Sequence, residues 1–323
     1  MRYVCCILFA TMIVGACVAS DSDQREGSEM LAKAATTQNL RSHDAKPFRL
    51  HVRVHAQTVV ATPTDGTYDE IWLSSDKWRR EIAFPGFDQV EVGDADSKWL
   101  SRNLDFQPRV VSLMEQAVLM GLSLLPLETV GEVHNKKKDG TAFRCVRLQF
   151  PHSLSREMCL NPSGALASVE AGDRRFEYGE YTKFGDKIFP KAIHVFEKGK
   201  NLLNINVEDP VAVTDPDPKE FKHPAGALQF ANCERSQGEL IKKVPPHYPQ
   251  EARSNHVQGT VVLYVLLSGE GRVQNTRVLE SAGDSLDRAT IEAVQQWEYT
   301  PANCGKAPLP AETEVQVNFA LSF

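Results

Sequence analysis

The sequence predicts an α+β fold in two parts. The first part is a β-rich N-terminal half-barrel or sandwich with one helix. The second is a small C-terminal α+β domain in which a helix lies on a three-stranded antiparallel sheet. Two observations predict this division. Residues 45–210 consist of short runs in which apolar and polar side chains alternate, whereas residues 239–323 combine such runs with apolar residues at helical spacing.

Strand-like runs fill the N-terminal half. In Phe48–Ala56 every second residue is apolar, which is typical of a strand with one buried face. Lys77–Phe84 and Lys187–Glu197 are two further predicted strands, and Asp65-Gly66 has the composition of a turn. One helix is predicted near Arg109–Leu122. Many strands with a single helix favour an open or incomplete β-barrel.

The C-terminal segment begins with a short helix, which is followed by two strands, a second helix and a last strand. Alternate apolar residues predict the first of these strands at Val257–Leu267, and the glycines of Gly269-Glu270-Gly271 supply a hairpin turn. The second helix is predicted to pack through one stripe, which consists of Leu286, Ala289, Ala293 and Trp297.

The last strand alternates up to the end of the chain. Its apolar residues are predicted to be buried: Val315, Val317, Phe319, Leu321 and Phe323. Its polar residues are predicted to face water: Glu314, Gln316 and Asn318. We therefore expect a half-buried strand with one wet face.

The order and spacing of several motifs resemble the C-terminal domain of TonB, the energy transducer of the Gram-negative envelope. The motifs are Tyr248–Arg253, Gln258–Leu263, Gly269–Val273, Leu286–Ala289, Gln296–Pro301 and the strand that ends at Phe323. The resemblance implies a domain without catalysis that binds the peptide of an outer-membrane receptor by strand addition and passes on force from inner-membrane motor proteins. The strand it implies as the binding strand contains Val315, Gln316, Val317, Asn318 and Phe319.

The N-terminal half resembles the periplasmic lipoprotein-carrier (LolA-like) fold. The motifs that carry this resemblance are Gly66–Trp72, Lys77–Glu81 and Cys159–Leu166. The resemblance implies an apolar cavity that binds acyl chains, and four aromatic residues are the candidates to line it: Trp72, Trp78, Phe84 and Trp99. The alternative is that these aromatic residues fill the core of a sandwich.

The N-terminus has the composition of an export signal, with Arg2 before an uncharged, mostly apolar run from Tyr3 to Ala19. Three outcomes are open: cleavage near Val18-Ala19-Ser20, lipidation of Cys17 after cleavage, or an uncleaved membrane anchor. Each outcome places the rest of the chain outside the cytoplasm. We therefore expect a periplasmic protein, either free or attached through a lipidated Cys17 or an N-terminal anchor.

Four cysteines follow the signal region, an even number that predicts two disulfides in an exported chain. Cys145 and Cys159 lie on adjacent predicted strands and are expected to pair. Cys233 and Cys304 are the remaining pair. Zinc binding is the alternative, but the sequence has no Cys-x-x-Cys motif and no nearby histidine pair, so no metal site is predicted.

Other function classes have no support in the sequence. The net charge of −6 gives no reason to expect nucleic acid, and no catalytic or phosphate-binding motif is present, so neither an enzyme nor a cofactor is predicted. Residues 209–249 hold seven of the 18 prolines, which favours a linker. The predicted divisions are 1–20 (signal peptide or anchor), 30–208 (β-rich domain), 209–238 (linker) and 239–323 (C-terminal domain).

These observations lead to two hypotheses about function. The first is an envelope protein of TonB type that binds and couples to an outer-membrane receptor or another envelope protein in support of transport. The second is a periplasmic carrier of lipid or another apolar ligand, in which the C-terminal domain is a docking module.

Overall fold

The computed structural model describes residues 21–57, 64–119, 129–149, 155–231, 235–236, 238–304 and 306–321. The predicted signal, including Cys17, lies outside the described residues. So do Cys233, Ser322 and Phe323. None of the helices in the described ranges combines the length and the apolar character needed to span a bilayer.

A 14-stranded antiparallel sheet forms the N-terminal half. Its first strands are β1 (Phe48–Ala56), β2 (Thr64–Ser74), β3 (Lys77–Phe84), β4 (Phe87–Asp94), β5 (Ser97–Arg102), β6 (Thr129–Lys138) and β7 (Thr141–Gln149). They are followed by β8 (Arg156–Leu160), β9 (Leu166–Ala171), β10 (Arg174–Phe184), β11 (Lys187–Glu197), β12 (Lys200–Val207), β13 (Val211–Ala212) and β14 (Leu228–Ala231). The strand order is β14-β5-β4-β3-β2-β1-β12-β11-β10-β9-β8-β7-β6, and β13 pairs with β1. Neighbouring strands are consecutive in sequence except at β1–β12, β5–β14 and β1–β13. The sheet therefore consists of two meanders, β1–β5 and β6–β12, that are joined through β1 and β12, and β14 and β6 lie at its two ends.

Two helices accompany this sheet: α1 (Asp21–Gln38) and α2 (Arg109–Leu119). Helix α1 packs on β6 and β11, and it buries Gly27, Leu31 and Ala34. A Cβ atom on Gly27 would lie 2.6 Å from a methyl group of Val130, so glycine permits this close approach. The sequence did not predict α1, because its buried positions are mostly small residues that leave a weak apolar pattern.

The predicted strands Phe48–Ala56, Lys77–Phe84 and Lys187–Glu197 have the predicted bounds. The turn predicted at Asp65-Gly66 is wrong, because both residues lie inside β2. A Cβ atom on Gly66 would lie 2.3 Å from the Phe84 ring. This glycine therefore makes room for an aromatic ring on the next strand and does not reverse the chain.

The segment predicted as a linker is tied to the N-terminal sheet along part of its length. Strand β13 pairs with β1, β14 pairs with β5, and a 3-10 turn at Pro218–Phe221 buries Phe221. The guanidinium of Arg79 donates to the carbonyl oxygens of Glu220 and Lys222 at 3.2 and 3.0 Å. The prolines therefore interrupt regular pairing here without releasing the chain from the surface.

The C-terminal part contains α3 (Gln250–Ser254) and α4 (Asp284–Val294) on an antiparallel sheet of the order β18-β17-β22. Small ribbons flank it. The remaining strands are β15 (Arg235–Ser236), β16 (Leu240–Lys242), β17 (Gly259–Leu267), β18 (Val273–Glu280), β19 (Glu298–Tyr299), β20 (Ala302–Cys304), β21 (Ala307–Leu309) and β22 (Ala311–Phe319). The chain therefore has the predicted α+β class, with a helix on a three-stranded sheet at its C-terminal end.

Trp297 is buried but does not belong to α4, which ends at Val294. A turn at residues 295–296 follows the helix, and the indole N–H of Trp297 donates to the carbonyl of Val244 at 2.8 Å. The helical spacing therefore identified a core residue correctly but extended the helix by about one turn.

Candidate functional site

Strand β22 lies at an edge of the C-terminal sheet. It pairs with β17 from Gly259↔Phe319 to Leu267↔Ala311, and within the described ranges no strand pairs with its other side. In an antiparallel pair the backbone groups of alternate residues point away from the neighbour, so an edge strand offers free N–H and C=O groups. The five residues predicted to bind a partner, 315–319, are the last five of this strand.

One face of β22 belongs to the C-terminal core. Val315, Val317 and Phe319 are buried there, as their alternation predicted. The Phe319 ring meets the Tyr248 ring edge to face at 5.4 Å between centroids. The hydroxyl of Tyr248 in turn donates to the carbonyl of Val257 at 2.5 Å. This packing holds the apolar face of the strand against the C-terminal core and leaves its backbone edge open.

The other face of β22 meets the N-terminal half through a group of charges that we call the Arg109 cluster: Arg109, Arg174, Glu197, Glu280 and Glu314. Arg109 is the first residue of α2 and its side chain is only 3% exposed. Its Nη2 atom donates to both carboxylate oxygens of Glu197 at 2.7 Å, and its Nη1 atom pairs with Glu280. Arg174 donates to Glu314 at 2.8 Å and to Glu197 at 3.1 Å.

Gln316 joins the same contact. Its side-chain amide donates to Glu197 at 2.9 Å, whereas Asn318 lies farther along the strand and contacts Thr260 at 3.2 Å. The prediction that Glu314 faces water is wrong, since its side chain is 12% exposed and paired with Arg174. The alternation was correct, and Gln316 and Asn318 are exposed as predicted. Glu314, by contrast, is covered by Arg109 and Arg174 of the N-terminal half.

The Arg109 cluster shifts the ionisation of its members. Burial alone would raise the pKa of Glu197, but hydrogen bonds from Arg109 and Gln316 hold it at about 2. Burial raises the pKa of Glu280, and the attraction of Arg109 only partly opposes this. Three largely buried carboxylates thus face two guanidinium groups. Removal of one arginine would leave more negative charge here than the remaining arginine can balance.

A second set of contacts extends the interface along the sheet. Arg102 pairs with Glu312 on β22, and its Nη1 atom lies 3.0 Å from the carboxylate. Phe106 packs edge to face on Tyr264 at 6.1 Å between centroids. Arg277 places its guanidinium 4.4 Å from the centre of the Phe106 ring. The face of the C-terminal sheet opposite its helices therefore rests on residues 102–109 of the N-terminal half.

The four aromatic residues predicted to line an apolar cavity are not all together. Trp72, Trp78 and Phe84 are buried on the inner face of the large sheet, and Trp72 stacks on Phe48 at 5.6 Å between centroids. Trp99 is only partly buried, and it stacks at 3.8 Å on His223 of the segment after β13. Among the four, Phe84 also lines a cleft of about 560 Å³ between β1, β2 and β3.

The inner face of the sheet also carries charges that the sequence analysis missed. The carboxylate of Glu70 is fully buried between Tyr68 and Trp72 and is paired with Arg41 and Arg80. Burial opposes ionisation, but the two guanidinium groups hold the pKa of Glu70 at about 2. The signal was present, because an acidic residue at the parity of two buried aromatics must face inward.

The disulfide predicted between Cys145 and Cys159 is present, and it joins directly opposite residues of β7 and β8. Cys304 is also disulfide-bonded. Its predicted partner, Cys233, lies outside the described residues, so that pairing stays a prediction. Arg235, two residues further on, lies opposite Cys304 in the pairing of β15 and β20.

Solved structures similar to the chain cover its β-rich part at low identity. A LolA superfamily protein from Nitrosomonas europaea is 13% identical, with a TM-score of 0.42 over 61% of this chain and 97% of that one. A DUF1329 family protein from Desulfovibrio piger is 9% identical, with a TM-score of 0.42 over 62% of this chain and 98% of that one. A likeness at this level says nothing about a ligand.

Sequence relatives cover the other end of the chain. Protein TonB of Vibrio cholerae is 30% identical over 80 residues, which are 24% of this chain and 33% of that protein. Protein TonB of Xanthomonas campestris pv. campestris is 35% identical over 79 residues, 24% of this chain and 35% of that protein. The chain thus spans about a third of the length of these curated relatives. The family model described as "Gram-negative bacterial TonB protein C-terminal" matches residues 244–321. The resemblance stated from the sequence is therefore confirmed for this segment, which matches the TonB C-terminal family.

Proposed function

We propose that this chain is a cell-envelope protein of TonB type that binds the extended peptide of a partner along the open edge of β22. The observation that supports this most directly is the one-sided pairing of β22 inside the segment that matches the family. A strand added there would gain main-chain hydrogen bonds without displacing any described strand. The side chains of 315, 317 and 319 would stay in the core.

The proposed setting follows from the family and from the N-terminal sequence. The partner is an outer-membrane receptor or another envelope protein, and the chain works in the periplasm without catalysis and without a cofactor. If the N-terminal segment is retained as an anchor, inner-membrane motor proteins become partners as well. If Cys17 is lipidated, the chain acts as an adaptor, because a lipid anchor does not connect it to a motor.

The N-terminal half supports this function by holding the sheet on which the partner adds. The Arg109 cluster and the Arg102–Glu312 pair contact β22 from one face, while the strand's edge remains open. A pull on the bound peptide would therefore be passed both to β17 and, through the charged face, to the N-terminal half. We propose the divisions 30–208, 209–238 and 239–323 as the units of this arrangement.

Binding is tested with a peptide from the periplasm-facing segment of a TonB-dependent receptor of the same organism. On the unaltered protein, hydrogen exchange should slow at residues 311–319 when the peptide binds, because strand addition engages free backbone N–H groups. Protection that appears elsewhere but not in this strand would overturn the proposal. This measurement needs no variant and does not depend on how a variant folds.

Variants at Asn318 give a second test. Asn318→Ala should bind the peptide about as well as the parent, because strand addition draws its affinity from the main chain. Asn318→Pro should lose binding, because proline removes a backbone donor and its ring obstructs pairing. Circular dichroism checks the fold of both variants. A folded proline variant with the parent's affinity would show that the peptide docks elsewhere.

The carrier function is a second candidate, and the cleft beside Phe84 is the observation that favours it. Its lining includes Val54, Ala83 and Pro85 as apolar residues. If it holds an acyl chain, Ala83→Glu should abolish binding of a fluorescent fatty acid. Ala142→Glu, at an exposed residue of β7, is the matched control. Equal binding by both variants would remove the cleft from consideration.

A further inference from the structure

Four side chains with metal-binding atoms meet on three neighbouring strands of the large sheet. His134 of β6 lies opposite Cys145 of β7, which lies opposite Cys159 of β8, and Glu157 is two residues before Cys159. Their sequence neighbours Val133, Val146 and Met158 belong to the core. The four side chains therefore project from the other face of the sheet, away from the core. They belong neither to the edge of β22 nor to the cleft beside Phe84.

The distances within this group are short. The Nε2 atom of His134 lies 3.0 Å from a carboxylate oxygen of Glu157, and the Sγ atom of Cys159 lies 3.6 Å from the other oxygen. One ligand atom each of His134, Cys145 and Glu157 lie within 4.8 Å of one another. Both cysteines are almost fully buried, at 0% and 2% exposed.

The nitrogen of His134 that faces this group is Nε2, which contacts Glu157. The other ring nitrogen, Nδ1, is buried without a hydrogen-bond partner among the described residues, but it points to a different side of the ring and takes no part in the arrangement. In the disulfide form the sulfur atoms carry no thiolate charge, so the group as it stands offers a metal ion only the imidazole and one carboxylate.

We propose that the dithiol form of this protein, which precedes the Cys145–Cys159 disulfide, binds a zinc-type divalent cation through the two thiolates, the imidazole of His134 and the carboxylate of Glu157. Two sulfurs, one nitrogen and one oxygen make a four-coordinate set that suits Zn²⁺. Ligand atoms of a tetrahedral zinc site lie roughly 3.3–3.8 Å apart, as its bond lengths of about 2.0–2.3 Å require. The nitrogen–oxygen and sulfur–oxygen distances of 3.0 and 3.6 Å are close to that range.

The charges around the group suit the metal-bound form. Two thiolates and one carboxylate exceed the charge of a divalent cation by one unit. The ammonium group of Lys136, 2.9 Å from Glu157 and 3.3 Å from Glu170, balances this excess. Lys136 would also orient the carboxylate, as outer-shell partners of metal ligands do.

Metal binding and disulfide formation exclude each other in this arrangement. On binding, the two thiols lose their protons to water as the ion enters. When a disulfide oxidant then takes two electrons from the thiolates, the S–S bond forms, the oxidant becomes a dithiol by taking up two protons, and the ion leaves. Motif spacing did not identify this set of ligands, because they come from three strands and only the fold brings them together.

The test uses the full chain, reduced and refolded without oxygen in the presence of a phosphine reductant, and titrated with Co²⁺ and Zn²⁺. We expect thiolate-to-cobalt charge-transfer absorption with one ion per chain, displaced by Zn²⁺, and no such absorption for the oxidised protein. Loss of an outer-shell partner costs about 10–100-fold in affinity, so loss of a direct ligand in His134→Ala should raise the Kd by at least about 100-fold. Glu157→Gln should also raise it.

The matched control is the double variant Cys233→Ser/Cys304→Ser, which removes the other predicted pair and should keep the parent's Kd. Circular dichroism of the reduced chain, with and without Zn²⁺, shows whether the sheet is present. The proposal is overturned if His134→Ala binds like the parent, if the oxidised protein binds equally well, or if the reduced chain stays unfolded when Zn²⁺ is added.

Discussion

Removal of the guanidinium of Arg109 should detach the C-terminal sheet from the N-terminal half. Arg109→Met keeps most of the side-chain volume and the helix propensity, but it removes the charge that lies against Glu197, Glu280 and Glu314. Breaking a buried ion pair by removing one partner costs about 3–5 kcal/mol, because the remaining charges are left without compensation. Here Arg174 would still pair with Glu197 and Glu314, but Glu280 would lose its pair with Arg109.

The lost free energy should weaken the contact between the two parts of the chain and not the stability of either part. Glu280 and Glu314 belong to the C-terminal sheet, and Glu197 belongs to the N-terminal half, so separation of the two parts lets water reach all three. We therefore expect the variant to undock rather than to unfold. The thermal unfolding of each part should change little, while the contact between them is lost.

Hydrogen exchange and small-angle scattering measure this contact. In Arg109→Met, exchange should rise at residues 102–109 and the radius of gyration should increase. Arg175→Met is the matched control, because Arg175 is a partly exposed arginine of the same sheet whose pair with Glu177 is worth about 0–1 kcal/mol. Adding Glu314→Gln to Arg109→Met should restore part of the docking. Unchanged exchange and an unchanged radius of gyration in Arg109→Met would refute the reasoning.

Further predictions concern the interior. Trp297→Ala should destabilise the C-terminal domain by about 3–5 kcal/mol in chemical denaturation, because the ring is 4% exposed. Glu70→Ala should cost about 3–5 kcal/mol, because it removes the buried carboxylate that pairs with both Arg41 and Arg80. In the parent, the contribution of Glu70 should be present at neutral pH and lost as the pH falls from about 4.5 towards 2, since its folded-state pKa is lowered. Burial and a neighbouring carboxylate raise the pKa of Glu115 to about 7, so the folded state binds a proton that the unfolded state releases. Stability should therefore fall as the pH rises from about 4.5 to 7, and Glu115→Gln should remove this dependence in unfolding curves measured across that range. Peptide mapping without reductant should recover Cys233 linked to Cys304, and free thiols at both positions would exclude the pair.

Periodicity predicted the strands well, and it did so because one face of each strand is buried. In Phe48–Ala56 every second residue faces the core and is apolar, so the pattern and the bounds agree with the structure. At Gly66 the local composition predicted a turn wrongly. A glycine in a sequence signals either a turn or a close approach, and only the position of the Phe84 ring decides between them.

The two faces of the candidate strand were predicted correctly, but the strand ends at Phe319 and not at the predicted Phe323, and the surroundings of Glu314 were not predicted. An alternating strand predicts which residues lie on which face, and Val315, Val317 and Phe319 are buried accordingly. Whether Glu314 meets water or an arginine depends on a residue far away in sequence. A charged side chain suits both environments, so local sequence cannot distinguish them.

Both faces and one edge of β22 are in contact with other parts of the protein, so its second edge is the one available to a partner. Its apolar face is taken by the C-terminal core, its charged face by Arg109 and Arg174, and one edge by β17. A peptide that paired with the remaining edge would meet neither of the two faces directly. Partner binding and docking on the N-terminal half are then compatible. Partner binding and docking influence each other only if pairing with the peptide stiffens β22, because this strand carries Glu312, Glu314 and Gln316. If that coupling exists, Arg109→Met should change the affinity for the peptide by a small factor while the bound peptide still protects residues 311–319. A complete loss of peptide binding in this variant would instead show that the N-terminal half forms part of the binding surface.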